Sequence, residues 1–154
     1  MKDLHAQRSS QSRLVIVPGL HGSGAEHWQG WLHGQIDGSV RVEQDFWSVP
    51  DIDRWADRVA ETVDALGPGP HVIAAHSFGC LAALQAAARH PGLGIAQMLL
   101  VAPAEPTRFD LANMLPPGIC CMMRPRAATI FRASSSEKTQ IGRASCRERV
   151  CAIV

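Results

Sequence analysis

The residues from 71 to 80 constrain the fold of this chain more than any other part. A short run of β-branched and small residues ends in the triplet His76-Ser77-Phe78, and an alanine-rich helical pattern continues to Arg89. Ser77 is therefore predicted to lie on an abrupt turn from a strand into a helix.

A serine at such a turn is placed for nucleophilic attack. The N–H groups that open the helix carry partial positive charge and face whatever the hydroxyl attacks. The pattern G-x-S-x-G describes this nucleophile elbow. Here it reads Ala-His-Ser-Phe-Gly from Ala75, with alanine in place of the first glycine. The alternative is that Ser77 only caps the N-terminus of the helix, as serine often does.

Composition narrows the class of protein. Of the 154 residues, 46% are hydrophobic and 19% charged, which suits one domain with an apolar core. The net charge of +1, the lack of tyrosine and the lack of a basic stripe before residue 124 argue against a nucleic-acid partner. Residues 1–13 are polar, and no later run reaches membrane-spanning length. These features predict a cytoplasmic protein with no membrane partner.

The cysteines and histidines do not predict a metal site. His21, His27 and His33 are six residues apart, a spacing that drifts around a helix instead of forming one face. The five cysteines have neither the spacing of a zinc site nor the density of a disulfide scaffold, and we expect reduced thiols at Cys80, Cys120, Cys121, Cys146 and Cys151.

A glycine-rich loop, Gly19–Gly24, follows the first predicted strand, Leu14–Val17. A dinucleotide fingerprint would need a third glycine where His27 stands, and no Walker lysine is present, which disfavours a nucleotide-binding domain. In an acyl-transfer enzyme the same loop brings a backbone N–H to the reacting carbonyl, and Leu20 is the candidate donor.

Strand patterns and helix patterns alternate along the chain. The clearest helix runs from Asp51 to Leu66 with one apolar face, and a further apolar run from Ala96 to Val101 gives a fourth strand. Such alternation produces right-handed βαβ crossovers and a parallel sheet. The predicted fold class is α/β, a Rossmann-like three-layer arrangement with helices on both faces of the sheet.

Several motifs occur together between residues 14 and 115. They are Val-Pro-Gly-Leu-His-Gly-Ser from Val17, His27-Trp28, Val-Glu-Gln-Asp from Val42, Ala-His-Ser-Phe-Gly from Ala75, and Leu-Val-Ala-Pro-Ala from Leu100. This combination resembles the small α/β-hydrolases grouped as retinoblastoma-binding protein 9 and YdeN-like serine hydrolases.

The resemblance implies a carboxylesterase-like acyl hydrolase that uses a Ser-Asp-His triad and no cofactor. Ser77 would be the nucleophile, and the N–H groups of Leu20 and Phe78 would hold the oxyanion. His21 and His76 are candidates for contact with a small acyl or ester substrate. Some relatives are known for protein binding, so a non-catalytic protein-binding module on this fold stays open as the alternative.

The acid and base of the triad are not recognisable. Only His90 follows Ser77, and a helix of a dozen residues would separate the two by about 20 Å. His76 adjoins Ser77, but neighbouring side chains on a tight turn diverge. Glu105 and Asp110 follow the fourth strand too closely to match the triad aspartate that the resemblance implies. We therefore expect the chain as printed to be inactive or nearly so.

The α/β pattern stops after Leu115. We predict a flexible N-terminus at 1–13, a hydrolase domain truncated at its C-terminal end at 14–115, and a tail at 116–154 that is artefactual or disordered. Within the tail, Ile141–Val150 resembles the conceptual translation of a sequencing adapter. Because no further strand is recognisable, the sheet is expected to keep an unpaired apolar edge at its fourth strand.

Overall fold

A computed structural model describes residues 12–111, Leu115 and the strand at 128–132. The elements follow one another as strands and helices in near alternation. In chain order they are β1 (Leu14–Val17), α1 (Trp28–Gln35), β2 (Val40–Arg41), α2 (Ile52–Ala65), β3 (His71–His76), α3 (Phe78–Arg89), β4 (Ile95–Val101), a 3-10 turn (Pro106–Phe109) and β5 (Ala128–Arg132).

The strands form one sheet in the order β2-β1-β3-β4-β5. The first four are parallel, with Val17 of β1 opposite Ala75 of β3, and Ala75 opposite Leu100 of β4. The predicted α/β class with a parallel sheet is confirmed. Short extended runs rich in β-branched residues form these strands because such side chains pack well on a pleated surface.

Helices α2 and α3 cover one face of the sheet. A continuous core joins them to alternate residues of the strands, among them Val15, Val17, Ile73, Ala75, Met98 and Leu100. Helix α2 begins at the cap Asp51, whose carboxylate accepts a hydrogen bond from the N–H of Arg54 at 3.1 Å. Its polar face carries exposed ion pairs, including those from Arg89 of α3 to Asp53 and Asp57.

Helix α1 lies on the opposite face. The step from β1 to β2 runs in the opposite direction from the steps β2 to β3 and β3 to β4, so right-handed crossovers place α1 across the sheet from α2 and α3. Ile16 and Ala74 alternate with the core residues of their strands and are buried on this second face. The expectation of helices on both faces therefore holds.

Strand β5 corrects one expectation. Residues 97–101 of β4 pair antiparallel with Ala128–Arg132, so β4 is not the unpaired edge that the sequence pattern predicted. The remainder of the predicted tail, including the adapter-like Ile141–Val150, lies outside the described residues, as do residues 1–11 of the predicted N-terminus. In the part of the chain that is described, no helix combines the length and apolar character needed to cross a membrane.

Candidate active site

Ser77 lies between β3 and α3 in an unusual backbone conformation. Its φ is 52° and its ψ is −123°, a region that non-glycine residues rarely occupy. Although Ser77 holds the N-cap position of α3, its side chain makes no capping hydrogen bond. The alternative role of Ser77 as a simple helix cap is therefore wrong, and its hydroxyl is not engaged by the helix that it precedes.

The backbone of Ser77 is held by hydrogen bonds on both sides. Its N–H donates to the carbonyl of Val101 at the end of β4, and its carbonyl accepts from Cys80 and Ala104, each at 3.1 Å. A strained residue persists only where its surroundings over-determine it. The end of β4, the loop after it and the first turn of α3 together supply that restraint.

The two outer positions of the elbow motif behave differently. A Cβ on Gly79 would lie 2.3 Å from the carbonyl oxygen of Pro18 and 2.6 Å from that of Val17, so α3 can approach the end of β1 only with glycine there. Ala75, at the first position, is fully buried in the core with its methyl group accommodated. The departure from the G-x-S-x-G pattern is thus tolerated by this fold.

The loop after β1 passes directly beside the serine. A Cβ built on Gly19 would be 2.9 Å from Cβ of Ser77 and 3.0 Å from the carbonyl oxygen of His76. The next residue is Leu20. Among the backbone hydrogen bonds of the described loops and turns, none uses the N–H of Leu20 or of Phe78. Within the described loops and turns, the two N–H groups predicted as oxyanion donors thus have no backbone acceptor, and their residues follow Gly19 and Ser77 in the chain.

Two contacts fix the middle of this loop. The N–H of His21 donates to the carbonyl of Trp47 at 2.9 Å, and the N–H of Gly22 donates to the carbonyl of Gly19 at 3.0 Å. His21 and Gly22 both have positive φ, 66° and 75°, and the His21 side chain is exposed. His21, predicted as a substrate contact, thus lies in the loop that adjoins Ser77.

A buried glutamine that the sequence reasoning passed over anchors the same loop. Gln29 of α1 is 0% exposed. Its Nε2 donates to the carbonyls of Val17 and Ala74, each at 3.0 Å, and its Oε1 accepts from the hydroxyl of Ser23 at 2.7 Å. The signal in the sequence was a polar residue between Trp28 and Trp31, which helical periodicity alone does not distinguish from a surface position.

Two imidazole rings and an indole lie on the α1 side of the serine. The ring of His76 stands 4.7 Å from that of His27 and 6.2 Å from that of Trp28, both edge to face. Burial lowers the pKa of His76, and the neighbouring His27 lowers it further. His76, the second predicted substrate contact, therefore presents a predominantly neutral ring close to Gly19 and Ser77.

None of the hydrogen bonds formed by the described histidine rings goes to Ser77. His27 accepts from the N–H of Gln29, His33 bonds to Ser39, and His71 bonds to the carbonyl of Gly67. His90 follows the last residue of α3, at the opposite end of the helix from Ser77. The described part of the chain places no histidine as a general base.

The two acidic residues after β4 occupy exposed positions around the 3-10 turn. Glu105 precedes the turn and accepts a hydrogen bond from the hydroxyl of Thr107 at 3.3 Å, whereas Asp110 ends the turn with φ 56°. Neither forms a hydrogen bond with a histidine in the described residues. They are loop carboxylates, as expected from their position in the sequence.

Cys80, in the first turn of α3, is close to the serine in sequence but is not reactive. Its thiol is buried and its Sγ lies 3.5 Å from the carbonyl of Val101. Burial raises the pKa of this thiol to about 12. Because the thiolate is the reactive form, Cys80 is a packing residue and not a second nucleophile.

The position of Ser77 within the sheet is the one that open α/β folds use for ligands. After β1 the chain moves to β2 on one side, whereas after β3 it moves to β4 on the other. The carboxyl ends of β1 and β3 therefore lie at the point where the strand order reverses, which is where open α/β folds bind their ligands. Ser77 directly follows β3 at this point, and Gly19, two residues after β1, is in close contact with it.

Comparison with known proteins agrees with this geometry. The family model described as serine hydrolase matches residues 14–136, beyond the boundary at Leu115 estimated from the sequence. A crystal structure described as a YdeN-like hydrolase from Pectobacterium atrosepticum is 36% identical, with a TM-score of 0.63. The match covers 70% of this chain and 57% of that one. No curated protein matches the chain. With more than half of its residues matched by the family model, the chain belongs to the serine hydrolase family.

Proposed function

We propose that Ser77 is the nucleophile of an acyl hydrolase that acts on carboxylic-ester or related acyl bonds of a small substrate. The observation that carries the proposal is the strained turn at Ser77, whose hydroxyl is not used as a helix cap and whose Cβ closely adjoins Gly19. Leu20 follows Gly19 and Phe78 follows Ser77, and the backbone hydrogen bonds of the described loops and turns use the N–H of neither. The family match supports hydrolysis as the reaction class.

The chemistry follows from this arrangement. The Ser77 oxygen attacks the carbonyl carbon, the electron pair of the C=O bond moves to its oxygen, and the hydroxyl proton passes to a base. The N–H groups of Leu20 and Phe78 stabilise the resulting oxyanion. When the oxyanion collapses, the bond to the alkoxy group breaks, and the proton held by the base passes to that group, which leaves as the alcohol. Water then hydrolyses the acyl-enzyme. Donors of this kind contribute about 10²–10³ each to kcat in related chemistry.

His21 and His76 are proposed to contact the substrate from the two sides of Gly19. His21 lies in the loop after β1, and His76 adjoins the nucleophile with a ring whose pKa is lowered by burial and by His27. A largely neutral His76 suits an uncharged acyl group.

The proposal requires no metal or cofactor. We also propose a cytoplasmic location, where the five cysteines, whose spacing suits neither a zinc site nor a disulfide scaffold, would stay reduced.

No residue in the described part of the chain is placed to accept the proton of Ser77. Since no described histidine or carboxylate bonds to Ser77, we propose that the chain as printed turns over acyl esters slowly or not at all. The same observation favours the alternative function, a non-catalytic binding module on the hydrolase fold. The two differ in whether Ser77 still reacts as a nucleophile when a base is supplied from solution.

The test is chemical rescue. The chain is incubated with a fluorophosphonate, with and without imidazole, and the modified residue is identified by mass spectrometry. We expect slow labelling at Ser77 that accelerates with imidazole concentration and is absent in Ser77→Ala but unchanged in Ser39→Ala. Catalysis left after loss of a triad is still about 10³–10⁴ over water, so the adduct is measurable.

Two results would count against these proposals. An absence of labelling at Ser77 even with imidazole contradicts the nucleophile and favours the binding module. Rapid labelling without imidazole contradicts the low activity of the chain as printed.

A further inference from the structure

The side-chain amide of Gln29 connects three parts of the active-site region. It lies in the first turn of α1 and is fully buried. Both of its N–H donors are used, one by the carbonyl of Val17 and one by the carbonyl of Ala74, and its oxygen accepts from Ser23. A buried amide with its donors and its oxygen all bonded has one orientation, because a flip would set oxygen against two carbonyls.

These partners are the two ends of the loop and the strand that carries the serine. Val17 is the last residue of β1, two before Gly19, and Ser23 lies at the far end of the loop. Ala74 lies on β3, three residues before Ser77. The amide therefore holds the entry and the exit of the loop against the strand from which Ser77 projects.

We propose that Gln29 is a positioning residue that sets the N–H of Leu20 relative to Ser77. With its ends held by Gln29 and its middle held by the bond from His21 to Trp47, the loop has little freedom left around Leu20. This inference rests on the proposed function, since Leu20 is there an oxyanion donor. Gln29 touches neither Ser77 nor the substrate in this role, and it acts through the loop.

The decisive variant is Gln29→Glu, which keeps the size of the side chain. When protonated, the introduced carboxyl still donates to one carbonyl and accepts from Ser23. When ionised, it has no donor and faces two carbonyl oxygens. Because burial and the two carbonyl oxygens disfavour the charged form, the pKa of this carboxyl is raised above its ordinary value. The rate of fluorophosphonate labelling in imidazole is measured and divided by that of the unmodified chain at the same pH. This ratio should fall as the pH rises through that pKa, by up to about 100-fold, the loss of one oxyanion donor. The ratio should recover as the pH is lowered.

The loop contact is tested separately by Ser23→Ala. This variant leaves the bonds to Val17 and Ala74 in place, and we expect a loss of labelling rate of about fivefold, the factor for one neutral hydrogen bond. The matched control is Ser39→Ala. The Ser39 hydroxyl also bonds to α1, to the ring and carbonyl of His33, but near the other end of the helix. It should leave the labelling rate unchanged.

Hydrogen–deuterium exchange provides a readout independent of reactivity. The amides of His21 and Gly22 are bonded in the unmodified chain. In Gln29→Glu, at a pH above the raised pKa of the introduced carboxyl, they should exchange at least tenfold faster than in the unmodified chain at the same pH, while those of α2 do not change. If the unmodified chain does not react with the probe even in imidazole, the proposal that Ser77 is a nucleophile is wrong. The exchange rates of His21 and Gly22 then test by themselves whether Gln29 positions the loop. Unchanged loop exchange, or a labelling ratio that does not vary with pH, would overturn the role of Gln29.

Discussion

Gly19 and Ser77 approach so closely that a single added methyl group would separate them. A Cβ on Gly19 would lie 2.9 Å from Cβ of Ser77 and 3.0 Å from the carbonyl oxygen of His76. Real Cβ atoms essentially never approach a neighbour within 3.0 Å. This contact joins the loop after β1 to the turn after β3, and it fixes how near the Leu20 N–H can come to the serine.

Gly19→Ala should therefore impair reactivity more than stability. The methyl group displaces the loop, and a displaced oxyanion donor lowers the rate of fluorophosphonate labelling at Ser77, measured in imidazole, by about 100-fold. The matched control is Gly24→Ala in the same loop, where an added Cβ meets nothing within 4 Å. Equal labelling rates for the two variants would show that the contact does not govern the site.

Gly79→Ala should act on the fold itself. Its added Cβ would meet the carbonyl oxygens of Pro18 and Val17 at 2.3 and 2.6 Å, and neither backbone group can move aside without separating α3 from β1. We expect the free energy of unfolding in urea to fall by about 1–3 kcal/mol, the usual cost of overpacking. In the control Gly92→Ala, where a Cβ meets nothing within 4 Å, the loss should be much smaller.

Much of this arrangement could be predicted from the sequence because its signals are local. The turn at Ser77 is recognisable from consecutive residues at the end of one strand and the start of a helix. The loop at Gly19–Gly24 is recognisable because it directly follows a strand. The function of Gln29 could not be predicted, since its partners lie 12 residues away at Val17 and 45 away at Ala74. Strand β5 was missed as well, because no strand was recognised in the sequence after Val101, and its partner β4 lies far back along the chain.

The free energy of unfolding should depend on pH because the folded surroundings of His76 lower its pKa. Burial, and then the neighbouring His27, lowers its pKa below the ordinary 6.5. A group with a depressed folded-state pKa stabilises the fold above its unfolded-state pKa, and that contribution is lost as the pH falls through the folded-state value. The free energy of unfolding should therefore decrease as the pH drops below 6.5.

His76→Gln should reduce this slope, measured by urea denaturation across the pH range. His27→Asn removes the effect of His27 on the pKa of His76 and keeps a side-chain acceptor at the N-cap of α1. Its pH slope should lie between that of the unmodified chain and that of His76→Gln. If His76→Gln retains the full slope, the ring of His76 is not responsible for it.

The strain at Ser77 predicts that removing its side chain altogether stabilises the protein. With φ 52° and ψ −123°, a Cβ is disfavoured whatever group it carries, so Ser77→Ala keeps the strain, whereas Ser77→Gly relieves it. Strain at such positions costs about 1–3 kcal/mol, and glycine relieves it. Glycine is also more flexible in the unfolded chain, which offsets about 0.5–1 kcal/mol of that gain in folding free energy. We expect Ser77→Gly to unfold at higher urea than Ser77→Ala. A matched Ala83→Gly in the middle of α3 should only destabilise, and equal midpoints for the two Ser77 variants would show that the turn is not strained.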